Sequence, residues 1–213
     1  MQLYFIQGSP FARMARVLVR EYGLPCEEIL VPEFPPQPGY FETNPLGQVP
    51  ALIDNGNTLF PTRIVLEHLA AKAAAGGLPD TGLAKTLFRE GRYPEDNQLL
   101  TVLLALGDMM VAVQYQKWSG LVPSGPNRLN YNPVERNQDR VYRTLDWLES
   151  GALTGGFWPE RASIQDAVLA CLILWSESRG SIAWRGRPNL ESIVAGFETW
   201  RSCEETKPLP LKF

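Results

Sequence analysis

The sequence predicts an α/β domain with the element order βαβ-ββα, followed by a second domain built only of helices. Three observations carry this reading. Up to Leu69, short β-rich apolar runs alternate with stretches whose apolar residues recur every three or four positions. Asn55-Gly56 separates two of those runs as a hairpin turn, and beyond a small-residue segment at 73–79 only helical spacing remains.

Leu3, Tyr4, Phe5 and Ile6 make the first strand. Gly8-Ser9-Pro10 breaks it, and Phe11, Met14, Leu18 and Tyr22 then share one face of a helix that Gly23 and Pro25 terminate. Ile29-Leu30-Val31 is the second strand. After a proline-rich stretch over 32–38, residues 50–54 and 58–60 form an antiparallel pair, because Asn-Gly tolerates positive φ at both central positions of a two-residue turn. Pro61 suits the start of the next helix, whose face is Ile64, Val65, His68 and Leu69.

The small, flexible stretch 73–79 is the expected linker, so the α/β domain covers 1–76 and the helical domain 86–213. In the helical part, residues 96–117 read as a long helix interrupted by Gly107. Asn132-Pro133-Val134-Glu135 then supplies a cap, a helix-opening proline and a reciprocal Glu. Ser163-Ile164-Gln165-Asp166 fits a capping box, and the run 167–175 behind it is apolar enough to be a central helix. Leu190, Ile193, Val194, Phe197 and Trp200 mark one face of a further helix, which Pro208-Leu209-Pro210 cannot continue.

With 213 residues, 45% of them hydrophobic, the chain is long enough to bury a full core. A net charge of -3 supplies no attraction to nucleic acid or to an anionic membrane surface. The apolar run 167–175 covers only half of the ~20 residues a membrane crossing takes, and the chain opens without the basic start of a signal peptide. A cytoplasmic protein is expected, acting without nucleic acid or membrane. Cys26, Cys171 and Cys203 are odd in number and form no CxxC pair, so reduced thiols are expected. The single histidine, His68, lacks a cysteine cluster for a usual zinc site, and it sits on an apolar helical stretch. It reads as a packed structural histidine rather than a hydrolase base, and no metal is expected.

Ser9 stands directly before Pro10, at the N-terminal mouth of the first helix. Unpaired amide donors and the helix dipole favour an anion there, and a hydroxyl donating to sulfur favours thiolate over thiol. Serines at this position commonly do no more than cap the helix. Spacing alone leaves both readings open.

Ser9-Pro10-Phe11-Ala12 resembles the Cys-Pro-aromatic-Cys turn of glutaredoxins with both cysteines replaced, which excludes dithiol exchange at that turn. The run 9–17, SPFARMARV, is similar to the first-helix motif of bacterial glutathione S-transferases. Residues 44–52, NPLGQVPAL, closely resemble the NPxGxVPxL signature of the same superfamily. Leu59-Phe60-Pro61-Thr62-Arg63-Ile64 falls where that family shows an acidic residue, then Ser, then a helix, and the 163–166 box resembles the one opening its buried central helix. The resemblance covers nearly the whole chain and is most specific in the first 70 residues.

This resemblance implies a thioredoxin-like N-terminal domain with a helical bundle behind it, a homodimer, and glutathione as co-substrate. It implies Ser9 as the catalytic hydroxyl and Phe11, Gln48, Val49, Pro50, Pro61 and Thr62 as the glutathione-binding set. Pro50 is then cis, turning the N-H and C=O of Val49 toward the cysteinyl part of the tripeptide, whereas outside the motif it would be trans and start an ordinary strand. Thr62 and the amides around it would hold the γ-glutamyl carboxylate, or Thr62 would simply cap. Pro61 lacks the carboxylate that would meet the glutamyl ammonium group. The implied activity is attack of the glutathione thiolate on a small hydrophobic electrophile, as in detoxification, with the second substrate against residues 109–118. The alternatives are a catalytically weak ligand-binding or assembly protein of this fold, and glutathione-dependent ether cleavage or isomerisation.

Overall fold

A computed structural model describes residues 1–32, 38–77, 80–120 and 131–208. Most of the proline-rich stretch, Leu78 and Pro79 of the linker, and Leu209 and Pro210 of the tail lie outside the described residues. The α/β part runs β1 (Gln2–Phe5), α1 (Pro10–Glu21), β2 (Glu27–Leu30), a 3-10 turn (Pro38–Glu42), β3 (Ala51–Asp54), β4 (Asn57–Leu59) and α2 (Thr62–Ala75). The helical part contains α3 (Tyr93–Trp118), α4 (Pro133–Gly151), α5 (Ile164–Arg179), α6 (Pro188–Glu198) and α7 (Arg201–Glu205). This is the expected thioredoxin-like domain followed by helices.

The four strands lie in the order β2-β1-β3-β4. β1 pairs with β2 in parallel, as a βαβ unit with α1 as crossover requires, and with β3 antiparallel. Asn55 and Gly56 take φ of 50° and 78°, the values the β3–β4 hairpin turn asks of them. Helix α1 lies between the sheet and the helical part, which is why its apolar residues are buried around most of its circumference. One continuous apolar cluster runs from Leu3, Leu52 and Leu66 to Leu103, Leu145, Leu172 and Phe197, so both parts share a core.

Three details depart from the sequence reading. Helix α3 begins at Tyr93 rather than 96 and passes unbroken through Gly107. A Cβ there would lie 2.8 Å from Phe11 Cζ and 2.8 Å from Leu172 Cδ2, so the glycine marks a close approach of α1 and α5, not a break. Pro61 is extended (ψ -170°) and its carbonyl accepts from Ile64 and Val65, so the helix proper starts one residue later, at Thr62. Trp200 lies beyond α6, at the cap of the short α7 that the apolar spacing did not separate. By length and mean hydropathy α3 also matches a membrane-crossing helix, yet its Leu100, Leu103, Leu106, Met110 and Val113 point into the shared core.

Candidate functional site

Ser9 is the N-cap of α1. Its backbone is extended (φ -84°, ψ 120°) and its Oγ accepts from the Ala12 amide at 3.1 Å. Its N-H donates to the Ile6 carbonyl at 3.1 Å, and the preceding carbonyl, that of Gly8, accepts from the indole Nε1 of Trp175 at 2.8 Å. No acidic residue stands in the first turn of α1, so that turn does not itself neutralise the positive end of the helix dipole. Capping occupies a lone pair of the hydroxyl and leaves its proton available. The two roles that spacing left open are therefore compatible.

The Val49-Pro50 peptide is cis, as the motif implies. The carbonyl of Gln48 accepts from Tyr40 Oη at 2.8 Å and from Asn44 Nδ2 at 2.7 Å, which fixes the plane of the Gln48-Val49 peptide. Asn44 is 1% exposed and its Oδ1 accepts from the Leu46 amide, so one side chain braces both ends of the loop. Burial pushes the Tyr40 phenol up to about 12, so it remains a donor. Gly47 has φ of 61°, and a Cβ there would collide with the Phe41 ring. The strand ladder ends at Ala51, and among the described residues neither backbone group of Val49 takes part in a backbone hydrogen bond. Val49 packs in one apolar cluster with Ala12 of the first helix turn, which brings this loop to the mouth of α1; the Gln48 side chain is exposed.

At the third motif, the Phe60-Pro61 peptide is also cis, which the sequence did not announce. Thr62 is the first residue of α2, and no side chain caps that end. Ile64 and Val65 donate to Pro61, so the Thr62 and Arg63 amides are the donors left for an anion. Pro61 is exposed.

Other expected residues lie elsewhere. Phe11 turns its ring to the seam where α1 meets Gly107 of α3 and Leu172 of α5. In the stretch 109–118, Met110 and Val113 are buried core, whereas Met109 lines a 350 Å³ cavity between α3 and α4 with Arg140, Arg143 and Trp147. His68 is not a packed histidine. Its side chain is 33% exposed and its Nε2 lies 2.8 Å from Asp54 Oδ2, because α2 passes over the end of β3; Lys72 binds the same oxygen. Burial lifts the Cys171 thiol to about 12, which removes it as a nucleophile. Among the described residues, no group of three or more His, Cys, Asp or Glu is disposed to hold a metal ion.

The sequence reading missed Tyr40 and Trp175. Tyr40 precedes the recognised motif, and Trp175 looks like one more apolar letter in a core helix.

Residues 3–77 match the model for the N-terminal domain of glutathione S-transferases. Residues 3–77 thus form an N-terminal domain of the glutathione S-transferase family. Over 212 residues, 98% of this chain and 98% of the relative, the sequence is 24% identical to the uncharacterized GST-like protein YibF of Escherichia coli (strain K12). The glutathione S-transferase of Methylobacillus flagellatus KT, solved with GSH bound, superposes with a TM-score of 0.76 over 98% of this chain and 99% of its own, at 22% identity. That of Methylobacterium radiotolerans JCM 2831, in complex with glutathione sulfonate, gives 0.79 over 100% and 96%, at 18% identity. The transferase fold thus extends through the helical part, beyond the residues of the N-terminal match.

Proposed function

We propose that this chain binds glutathione along Ser9, Val49, Pro50 and Thr62 and holds its sulfur as thiolate for attack on a small hydrophobic electrophile. The observation that carries the reading is Ser9: a hydroxyl at the positive mouth of α1 whose lone pair caps the helix and whose proton is left to donate to sulfur. A thiolate is the reactive form, and each unit by which the thiol pKa falls toward neutrality raises its fraction nearly tenfold, about 1.4 kcal/mol. The backbone of Val49, which takes part in no backbone hydrogen bond among the described residues, supports strand-like pairing with the cysteinyl residue, and the uncapped amides of Thr62 and Arg63 support capture of the γ-glutamyl carboxylate. The GSH and glutathione sulfonate held by the Methylobacillus and Methylobacterium proteins support the same ligand here. With an aryl halide, a sulfur-carbon bond forms as the carbon-halogen bond breaks, and halide leaves.

Calorimetric titration with glutathione and a conjugation assay with an aryl halide test this together. Binding in the micromolar to millimolar range is expected, with Ser9→Ala losing more than about tenfold in kcat/KM near neutral pH. A second reading rests on Pro61, which offers no carboxylate to the glutamyl ammonium group: a carrier or assembly protein with weak turnover. Equal low rates in both proteins, with tight binding of apolar ligands, favour that alternative. We further propose a two-fold homodimer in which the α/β part of one subunit packs on the helices of the other, consistent with the exposed Trp147 beside the α3–α4 cavity. Sedimentation equilibrium at the mass of one chain refutes it.

A further inference from the structure

We infer that Trp175, in the helical part, is a positioning residue for Ser9: its indole N-H holds the peptide that aims the hydroxyl. The inference rests on the role proposed for Ser9 and names what keeps that group in place. Trp175 is 3% exposed near the C-terminal end of α5, a helix anchored at its other end by the complete Ser163/Asp166 capping box. Its Nε1 donates to the Gly8 carbonyl at 2.8 Å across the seam between the two parts. The N-H at the other end of the same peptide, that of Ser9, donates to Ile6 at 3.1 Å. A peptide unit is planar, so holding both its oxygen and its hydrogen fixes the plane, and with it the start of the Ser9 Cα-Cβ bond. The third restraint is the cap itself, Ser9 Oγ on the Ala12 amide.

Burial alone does not account for the bond. Trp158 and Trp184 are also buried, and their indole N-H groups find no partner among the described residues. Trp175 is the buried tryptophan whose donor reaches a backbone carbonyl next to the candidate nucleophile-binding hydroxyl. A site whose donor must sit within about 0.5 Å of its working position depends on such support. The expected consequence of losing it is a serine that still caps part of the time and meets sulfur less often.

The test compares Trp175→Phe with Trp184→Phe in the full chain; a sulfur isostere of the indole at 175, benzothienylalanine, deletes only the donor if Phe disturbs packing. Hydrogen exchange reads the loop without any ligand. The Ser9 and Ala12 amides are expected to exchange several-fold faster in both 175 variants and unchanged in Trp184→Phe. With glutathione and an aryl halide, the 175 variants are expected to lose about three- to tenfold in kcat, with the pH profile displaced upward and KM for glutathione within about twofold. Exchange at Ser9 equal to that of the unsubstituted chain overturns the inference, and so does an undisplaced pH profile in an active 175 variant. If the unsubstituted chain neither binds nor turns over glutathione, the functional reading falls by itself, and the exchange data still decide whether Trp175 holds the loop.

Discussion

The proposed role asks Ser9 to use different parts of one hydroxyl for two ends. The lone pair closes α1 and the proton is left free to donate, so Ser9→Ala is expected to lower stability by about 1 kcal/mol through the lost cap, in addition to the loss of turnover proposed above. Ser9→Thr keeps the oxygen and is expected to restore most of that stability in urea titrations. A second residue-scale expectation concerns Asp54. The hydrogen bond from Lys72, then that from His68, hold its carboxyl below the usual aspartate range. Such a group binds fewer protons in the folded than in the unfolded state. Its stabilisation is thus present above the unfolded value and lost as pH falls through the folded one. Asp54→Asn is expected to be less stable than the parent at pH 7 and to approach it below about pH 4, as urea midpoints across that range will measure. His68 became intelligible only with this partner in view, because Asp54 stands 14 residues earlier in the chain, on β3.

At the scale of elements, Gly107 has the most specific consequence. A Cβ at 107 meets Phe11 and Leu172 at 2.8 Å, so Gly107→Val is expected to destabilise by about 2 kcal/mol despite the poor helix propensity of glycine, measured as a lowered Tm. Much of the architecture was legible from local chemistry. Short β-rich apolar runs marked the strands, Asn55-Gly56 the hairpin, and Ser163 with Asp166 the opening of α5, because each depends on neighbours in the chain. What escaped depends on contacts far apart. A glycine inside a helix is the same letter whether it breaks the helix or admits a neighbouring ring, and Trp175 differs from its apolar surroundings only through a carbonyl 167 residues away. The start of α3 was read late because Asp96, a charged residue at an apparent boundary, is in fact buried and bound to Arg89. Of the candidate site, Ser9, Val49 and Pro50 were legible through motifs, while Tyr40 and Asn44, which hold the Gln48 carbonyl, show their purpose only in three dimensions.

Over the whole molecule, the continuous core makes one unfolding unit of two sequence domains. All six tryptophans lie in the helical part and all described strands in the α/β part. Tryptophan fluorescence and the infrared sheet band are therefore expected to report the same urea midpoint; separated midpoints would show two independently folding parts. The shared core also gives the proposed site its geometry. The α/β part supplies Ser9, Val49 and Thr62, and α5 steadies the loop before Ser9 from the other side of the seam. The most direct measurement is the ultraviolet absorbance of the glutathione thiolate, titrated against pH with the protein in excess. A midpoint well below that of the free thiol, rising by about one unit in Ser9→Ala, is the predicted result. A midpoint equal to the free thiol's, or one that Ser9→Ala leaves in place, contradicts the account.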